Sequence, residues 1–339
     1  MKDAVVPGLA IALVRDGKIR WSRGFGVKEN GREGAVEDET IFEAASVSKT
    51  VFAYAVLKLC EKGVLDLDRP LTKYVPWKFL EGDARLEKIT ARQVLSHSAG
   101  FQDWRSGENP LKIHFEPTKG FAYSGEGYYY LQSVITHLTG RVDRTNCAEF
   151  EEGLKVCATD FNAFMKKNLL EPFGMKASGY EWNEGSKKDV ARAHDQNGKV
   201  IAKEKPSSPG VARYGSAGGL NTTVKDYAKF LIEIVAPKAS DEFRLKPETL
   251  REMVRPHVKL PPDQKIDGAT AWALGWAVQE KPEGNWLVHS GGQSGFRSLA
   301  MTSLEKRTGF IVLTNSDNGA KVIYGPRMLE LLARVLNGE

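Results

Sequence analysis

Alternation of apolar and polar positions is strand-like at the two ends of the chain and helix-like between them. Gly8 to Val14 is a short apolar, β-branched run, Arg15-Asp16-Gly17-Lys18 supplies turn chemistry, and Ile19 to Val27 resumes as a second strand, so the chain opens on a predicted hairpin. Near the other end Trp272 to Gln279, Trp286 to His289, Phe296 to Ser303 and Gly309 to Thr314 read as strands. Glu305-Lys306-Arg307-Thr308 is the turn before the last of them, and a helix over Tyr324 to Leu336 follows. Helical periodicity occupies the middle: Val47 to Glu61 stopped by Gly63, Ala91 to Ser96, Gly127 to Thr139 stopped by Gly140, Phe161 to Leu170 stopped by Pro172, and Val224 to Ile234.

Strands at both termini with helices between them predict an α+β fold, in which one antiparallel sheet is assembled from both chain ends, flanked by helices, beside a mostly helical lobe. The whole of 1–339 is expected to be one domain, with an α/β lobe over about 1–60 and 265–339, a helical lobe over about 61–264, and a cleft between them. Arg141 to Thr159 is polar and poorly periodic and reads as an insertion; Lys203 to Gly210 reads as a surface loop.

Composition narrows the function classes. A 41% hydrophobic and 27% charged content is that of an ordinary globular chain, and no apolar stretch approaches the roughly 20 residues needed to span a bilayer. The net charge of +5 comes from 48 basic residues interleaved with 43 acidic ones, without the clustered basic patch of a nucleic-acid binder. Cys60, Cys147 and Cys157 lack zinc-site spacing; a bridge between Cys147 and Cys157 is open to the sequence, with reduced thiols the default. Met1 runs directly into Lys2-Asp3 with no apolar leader, which fits a cytoplasmic chain by default or an exported one already trimmed, and leaves the compartment open.

Three segments carry chemistry. In Phe42-Glu43-Ala44-Ala45-Ser46-Val47-Ser48-Lys49-Thr50, Ser46 falls at a helix N-terminus, where free backbone N–H groups favour an anionic oxygen, and Lys49 lies one turn on along the same face. A lysine whose pKa is lowered by burial can take the serine proton. Alone, a Ser-x-x-Lys is a weak signal, far more often a helix cap and a solvated lysine, and Ser303-Leu304-Glu305-Lys306 repeats the pattern in a strand and turn where nothing aligns the pair. The second segment, Phe121 to Tyr128, is a glycine-punctuated loop opening a helix; it offers Tyr123 as a proton relay, with Gly125 and Glu126 beside it. In the third, Trp286 to Phe296, a strand carrying His289 ends in Ser290-Gly291-Gly292-Gln293, read as a polar glycine-rich turn. The Gly292 N–H is a candidate partner for the Ser46 N–H in an oxyanion hole.

In order and separation these segments resemble the three active-site motifs of the serine β-lactamase, penicillin-binding protein and class C-like esterase superfamily, whose pattern is Ser-x-x-Lys, then Tyr-x-Asn, then Lys-Thr-Gly or His-x-Gly. Val6-Pro7-Gly8-Leu9-Ala10, Leu95-Ser96-His97-Ser98-Ala99-Gly100-Phe101, Glu171-Pro172-Phe173-Gly174-Met175, Ser216-Ala217-Gly218-Gly219-Leu220 and Val312-Leu313-Thr314-Asn315 extend the resemblance over nearly the whole chain. It implies Ser46 as acyl-forming nucleophile, Lys49 and Tyr123 as the proton-relay pair, His289 as the third-motif side chain, and Gly291, Gly292 and Gly125 at substrate or oxyanion positions. No cofactor or metal is implied, and the partner is a small-molecule ester or amide, with the oligomeric state open. Ser316-Asp317-Asn318 also spells a family motif but follows the last strand, and reads as a loop entering the terminal helix.

This chain departs from the family pattern at two motif positions. Gly125 replaces the usual Asn, removing an amide-binding side chain, and His289 replaces the lysine of β-lactamases, exchanging a permanent cation for a group expected to be near half-charge at neutral pH. Both favour a carboxylesterase with weak β-lactamase activity. The alternatives are a class C-like β-lactamase or D-amino-acid peptidase, with Glu126 standing in for the missing Asn, and a non-catalytic acyl sensor. His97 reads as a structural histidine bonded to a nearby loop, and Trp104, Trp272 and Trp276 as core rather than walls of an acyl pocket. The helix that the family usually places before the Val-Pro-Gly phrase is not in the given sequence, so the expectation is either a trimmed chain or another element or subunit that covers the apolar sheet face.

Overall fold

The opening hairpin forms as β1 (Gly8–Arg15) and β2 (Lys18–Gly26), turned through Asp16 and Gly17 at φ 51° and 71°. A computed structural model of the protein describes residues 1–140, 158–181, 189–202, 214–264, 266–282 and 284–337. From the C-terminal part come β5 (Val258–Lys259), β6 (Ala271–Trp272), β7 (Ala277–Gln279), β8 (Trp286–Gln293), β9 (Phe296–Ser303) and β10 (Thr308–Thr314). They join the hairpin in one antiparallel eight-stranded sheet of order β2-β1-β10-β9-β8-β7-β6-β5, so the two chain ends meet where β1 pairs with β10, Leu9 opposite Thr314. The expected sheet from both termini, flanked by helices, is present.

Two strand expectations need correcting. The run Trp272 to Gln279 is not one strand: Gly275 at φ 85° turns the chain between β6 and β7, and Ala273 N–H closes that turn onto the Trp276 carbonyl at 2.7 Å. The third chemistry-bearing segment, read as a strand ending at His289 and a turn, is strand as far as Gln293; Gly291 and Gly292 lie opposite Ser298 and Arg297, and only Ser294 and Gly295 turn. Small side chains here do not break a ladder whose partner strand is long and β-branched or apolar on its buried face.

Side-chain alternation splits the sheet into two buried faces. On one, Ala10, Ala12, Val14, Ile311 and Leu313 belong to the main core, shared with the helices α1 (Ser48–Glu61) and α6 (Val224–Val235). Helix α1 is buried all round, wider than the apolar stripe its sequence shows, because it passes between sheet and helical lobe. On the other face Leu9, Ile11, Phe310 and Val312 meet Ile323 of α8 (Gly319–Ile323) and Leu332 of α9 (Pro326–Asn337). A 3₁₀ turn, Lys2–Ala4, precedes β1 among the described residues, and Leu329 and Leu331 of α9 remain 51% and 40% exposed.

The helical side contains α2 (Ala91–Leu95), α3 (Gly125–Thr139), α4 (Ala158–Met165), the short α5 (Gly215–Gly218) and α7 (Pro247–Val254). Thr90 and Gln93 form a capping box on α2, and Ser124 and Thr223 cap α3 and α6. The helix expected to end at Leu170 is α-helical only to Met165 and closes with a π-turn, Lys166–Leu170, before Pro172. A two-stranded ribbon, β3 (Phe42–Glu43) with β4 (Asn221–Thr222), bridges the two sides beside the cleft. No helix among the described residues is long and apolar enough to cross a membrane. The expected loop over Lys203 to Gly210 and the pair Cys147 and Cys157 lie outside the described residues; of the insertion, only Ala158 and Thr159 are described, and they begin α4.

Asn315 holds the junction of the chain ends. Its buried side chain accepts from Gly8 N–H at 2.7 Å and donates to the carbonyls of Val27 and Lys28 at 3.3 and 3.0 Å. Asn315→Ala strands these backbone groups without partners and is expected to destabilise the fold by about 3 kcal/mol, read from the urea midpoint at unchanged m-value.

Candidate active site

Ser46 is presented by a constrained bend. Ala45 sits in the left-handed region at φ 51°, a conformation that costs of order 1–3 kcal/mol for a residue with a Cβ and persists only where its surroundings impose it. They do so here. Ala44 N–H donates to the Leu220 carbonyl at 2.8 Å, while the Ala44 carbonyl accepts from Ser298 Oγ at 2.7 Å. Ser48 Oγ donates to the Ala45 carbonyl at 2.6 Å and accepts from Leu220 N–H at 3.1 Å. Ser46 therefore belongs to a 3₁₀ turn, Ala45–Val47, leading into α1, and is half-buried at the floor of a cleft of about 610 Å³.

Lys49, one turn along, is buried with its Nζ 3.5 Å from Ser46 Oγ and 2.7 Å from the Ala217 carbonyl, to which it donates. The rings of Tyr123 and Tyr128 flank it, their centroids 4.9 and 5.3 Å from Nζ. Burial lowers its pKa to about 7, and the Asp103 carboxylate opposes that shift without cancelling it. Near neutrality a substantial share of Lys49 is thus the free amine, able to accept a proton. Tyr123, on the loop before α3, hydrogen-bonds Ser46; burial pushes its phenol pKa upward, so it is a neutral O–H rather than a phenolate.

His289 corrects one expectation. It is 2% exposed, packed against Tyr123 and Trp272 at ring separations of 6.1 and 5.5 Å, and burial, reinforced by the nearby Lys49 charge, lowers its pKa to about 3. It is a neutral imidazole at pH 7, not a half-charged one. Its Nδ1 lies 2.6 Å from the Ser290 carbonyl, which fixes the proton there and leaves Nε2 an acceptor without a protein partner among the described residues.

β7 pairs with β8 only as far as Val288, and beyond it the Ser290 N–H is taken by Asp267 Oδ2 at 3.1 Å. By strand alternation the Gly292 N–H projects from the same edge, toward the cleft that Gly292 lines. Gly291 matters through space: a Cβ there would lie 2.2 Å from Ser298 Oγ and 2.9 Å from both the Ala44 carbonyl and Ser46 N. The bare backbone lets β8 pack directly against the serine's amide.

Other readings resolve as follows. Gly125 begins α3, its N–H donating to Asp103 Oδ1 at 2.9 Å, and no side-chain amide occupies its place. Glu126 does not replace one: fully buried, it is held bidentately by the Arg105 guanidinium and by Arg105 N–H at 2.9 Å. His97 accepts from Ser124 N–H at 3.1 Å and stacks beside Tyr123 at 4.4 Å, a loop-fixing role as expected. Trp272 and Trp276 are core, but Trp104 lines the cleft with Tyr214, and so does Asp103. Sequence reasoning missed Asp103 and Asp267, since no motif spacing ties them to Ser46, and read Trp104 as core where it lines the cleft. Ser316, Asp317 and Asn318 form a loop, as read, but it enters the short α8 rather than the terminal helix, with Asp317 accepting from Gly295 N–H.

The family model described as Beta-lactamase matches residues 1–333. The chain belongs to that family. Its members are serine hydrolases of β-lactamase fold, and this chain shares that architecture. Protein flp of Staphylococcus aureus (strain MRSA252) is 22% identical over 96% of this chain, which spans 62% of that protein's length. Penicillin-binding protein 4* of Bacillus subtilis (strain 168) is 23% identical over 97% of this chain and 72% of its own. Among solved structures, the octameric penicillin-binding protein homologue from Pyrococcus abyssi superposes with a TM-score of 0.78 at 25% identity, covering 100% of this chain and 75% of that one. The D-alanine carboxypeptidase AmpC from Burkholderia cenocepacia gives 0.75 at 20% identity, over 98% and 95% of the two chains.

Two measurements check this geometry. Acylation of Ser46 by a small alkyl fluorophosphonate should rise with pH through about 7 as Lys49 loses its proton, and Asp103→Asn, which removes the charge opposing deprotonation, should move that rise to lower pH. Gly291→Ala should slow the same labelling by about 10²-fold, the scale of a lost oxyanion donor, with circular dichroism still showing a folded protein.

Proposed function

We propose that the protein is a carboxylesterase that works through an acyl-enzyme on Ser46. The observation that carries the ester preference is the charge of the cleft. Among its described lining residues Lys49 is the sole cation, while Glu43 and Asp103 are acidic, and the neighbouring His289 is neutral. Penicillins and D-alanyl peptides bring a carboxylate that needs a cationic receptor; a neutral ester does not.

In this reading neutral Lys49 takes the Ser46 proton as Oγ attacks the ester carbonyl. The resulting oxyanion is held by the N–H groups of Ser46 and Gly292. Collapse breaks the C–O bond to the leaving alcohol, which receives the proton through Lys49 and the Tyr123 hydroxyl. Water then attacks the acyl-serine with Lys49 again as base, and as the C–Oγ bond breaks Lys49 returns that proton to Ser46 Oγ, releasing the acid and regenerating the free amine. His289, packed beside the Tyr123 ring, adds no charge to the relay.

A β-lactamase or D-alanyl carboxypeptidase is the second reading, favoured by the structural likeness to a β-lactamase/D-alanine carboxypeptidase from Pseudomonas syringae, TM-score 0.77 at 17% identity over 99% of this chain and 95% of that one. Intact-mass spectrometry during turnover of p-nitrophenyl butyrate and of a chromogenic cephalosporin separates the two. The expected result is ester turnover through an adduct that Ser46→Ala abolishes, with kcat/KM lowered by at least about 10³-fold. Faster cephalosporin than ester turnover would establish the second reading instead.

A further inference from the structure

Gly125 is a glycine for a reason its backbone does not supply. It occupies the first position of α3 behind the Ser124 cap and is absent from the positive-φ glycines, so any residue could adopt its conformation. Space forbids one. A Cβ at 125 would lie 2.0, 2.2 and 2.6 Å from Cζ2, Cε2 and Cη2 of Trp104, so the indole rests directly on the glycine Cα.

The indole is held there by the residues on either side of it. Asp103 accepts from Gly125 N–H through its side chain and from Glu126 N–H through its carbonyl, both at 2.9 Å. On the other side Arg105 is clamped to buried Glu126, with Nη2 donating to Oε2 at 2.7 Å. Gln102 Nε2 donates to the Trp104 carbonyl at 3.0 Å, and the Tyr214 ring meets the indole edge-on at 4.6 Å. The loop over 102–105 is thereby pinned to the first turn of α3, and its aromatic side chain forms one wall of the cleft that contains Ser46 and Tyr123.

We infer that Trp104 is the specificity-determining residue on the acyl side of this cleft, filling the space that a side chain at 125 would take and selecting ester substrates whose acyl group has an extended apolar or aromatic body. This rests on the ester-hydrolase reading above. A rigid indole offers such a group apolar contact with almost no ordering cost, whereas an acetyl group is too short to use it. The same packing explains why Glu126 is spent on Arg105 rather than on catalysis.

The test uses wild type, Trp104→Ala, Gly125→Asn and the double variant, with p-nitrophenyl acetate, hexanoate and phenylacetate. Trp104→Ala is expected to lower the ratio of kcat/KM for phenylacetate to that for acetate by about 10-fold or more; an unchanged ratio overturns the assignment. Gly125→Asn alone should lower Tm by at least about 4 °C, and adding Trp104→Ala should restore at least half of that loss. Additive Tm changes would show that the indole and residue 125 do not share one space. If wild type turns over none of the esters, the ester reading fails on its own. Selectivity is then read from Ser46 labelling by ethyl and benzyl fluorophosphonates, where the same 10-fold change of ratio in Trp104→Ala supports the inference and no change overturns it.

Discussion

Desolvation of Lys49 is the constraint around which the site is built. An ammonium held away from water loses its hydration, and unless an opposite charge replaces it the group becomes a free amine near neutrality. Here the enclosure is made by Tyr123 and Tyr128 from one side and by α5 from the other, with the Ala217 carbonyl as the amine's direct partner. Asp103 restrains the shift from the cleft edge, leaving the pKa near 7. Among the described residues no group of side chains could hold a metal ion, and the titratable amine beside Ser46 Oγ is that of Lys49.

That enclosure depends on two sides of the molecule approaching each other closely, and small residues permit it. Gly291 brings β8 onto the Ser46 amide, and Ser298 of β9 ties the same bend through the Ala44 carbonyl. The β3–β4 ribbon adds a second anchor from Leu220 and Asn221. Ala45 is thereby kept in a conformation that an isolated chain would avoid. The strain is local, while the hydrogen bonds that impose it are spread across elements from both chain ends.

Neutral His289 and the acidic cleft edge belong to the same electrostatic design. A permanent cation beside Lys49 would favour deprotonation of the lysine further and attract carboxylates; a buried imidazole does neither, and keeps only an acceptor nitrogen toward its surroundings. Trp104, packed over Gly125, gives the cleft an apolar wall where a side chain at 125 would stand.

The sequence by itself determined the antiparallel sheet from both termini, the hairpin at Asp16-Gly17, the helix that carries Lys49 and follows Ser46, and membership in the family, because alternation, turn chemistry and motif spacing are local properties of the chain. It also separated Ser316-Asp317-Asn318 from the site by its place after the last strand. Tertiary structure decided the rest: the break at Gly275, the extension of β8 through its glycines, the neutrality of His289, the capture of Glu126 by Arg105, and the arrival of Asp103 and Trp104 in the cleft. A pKa depends on what surrounds a group in three dimensions, and a glycine's neighbour across a packed loop leaves no periodic trace in sequence, so burial and long-range packing had to be seen before the charge and shape of the site were known.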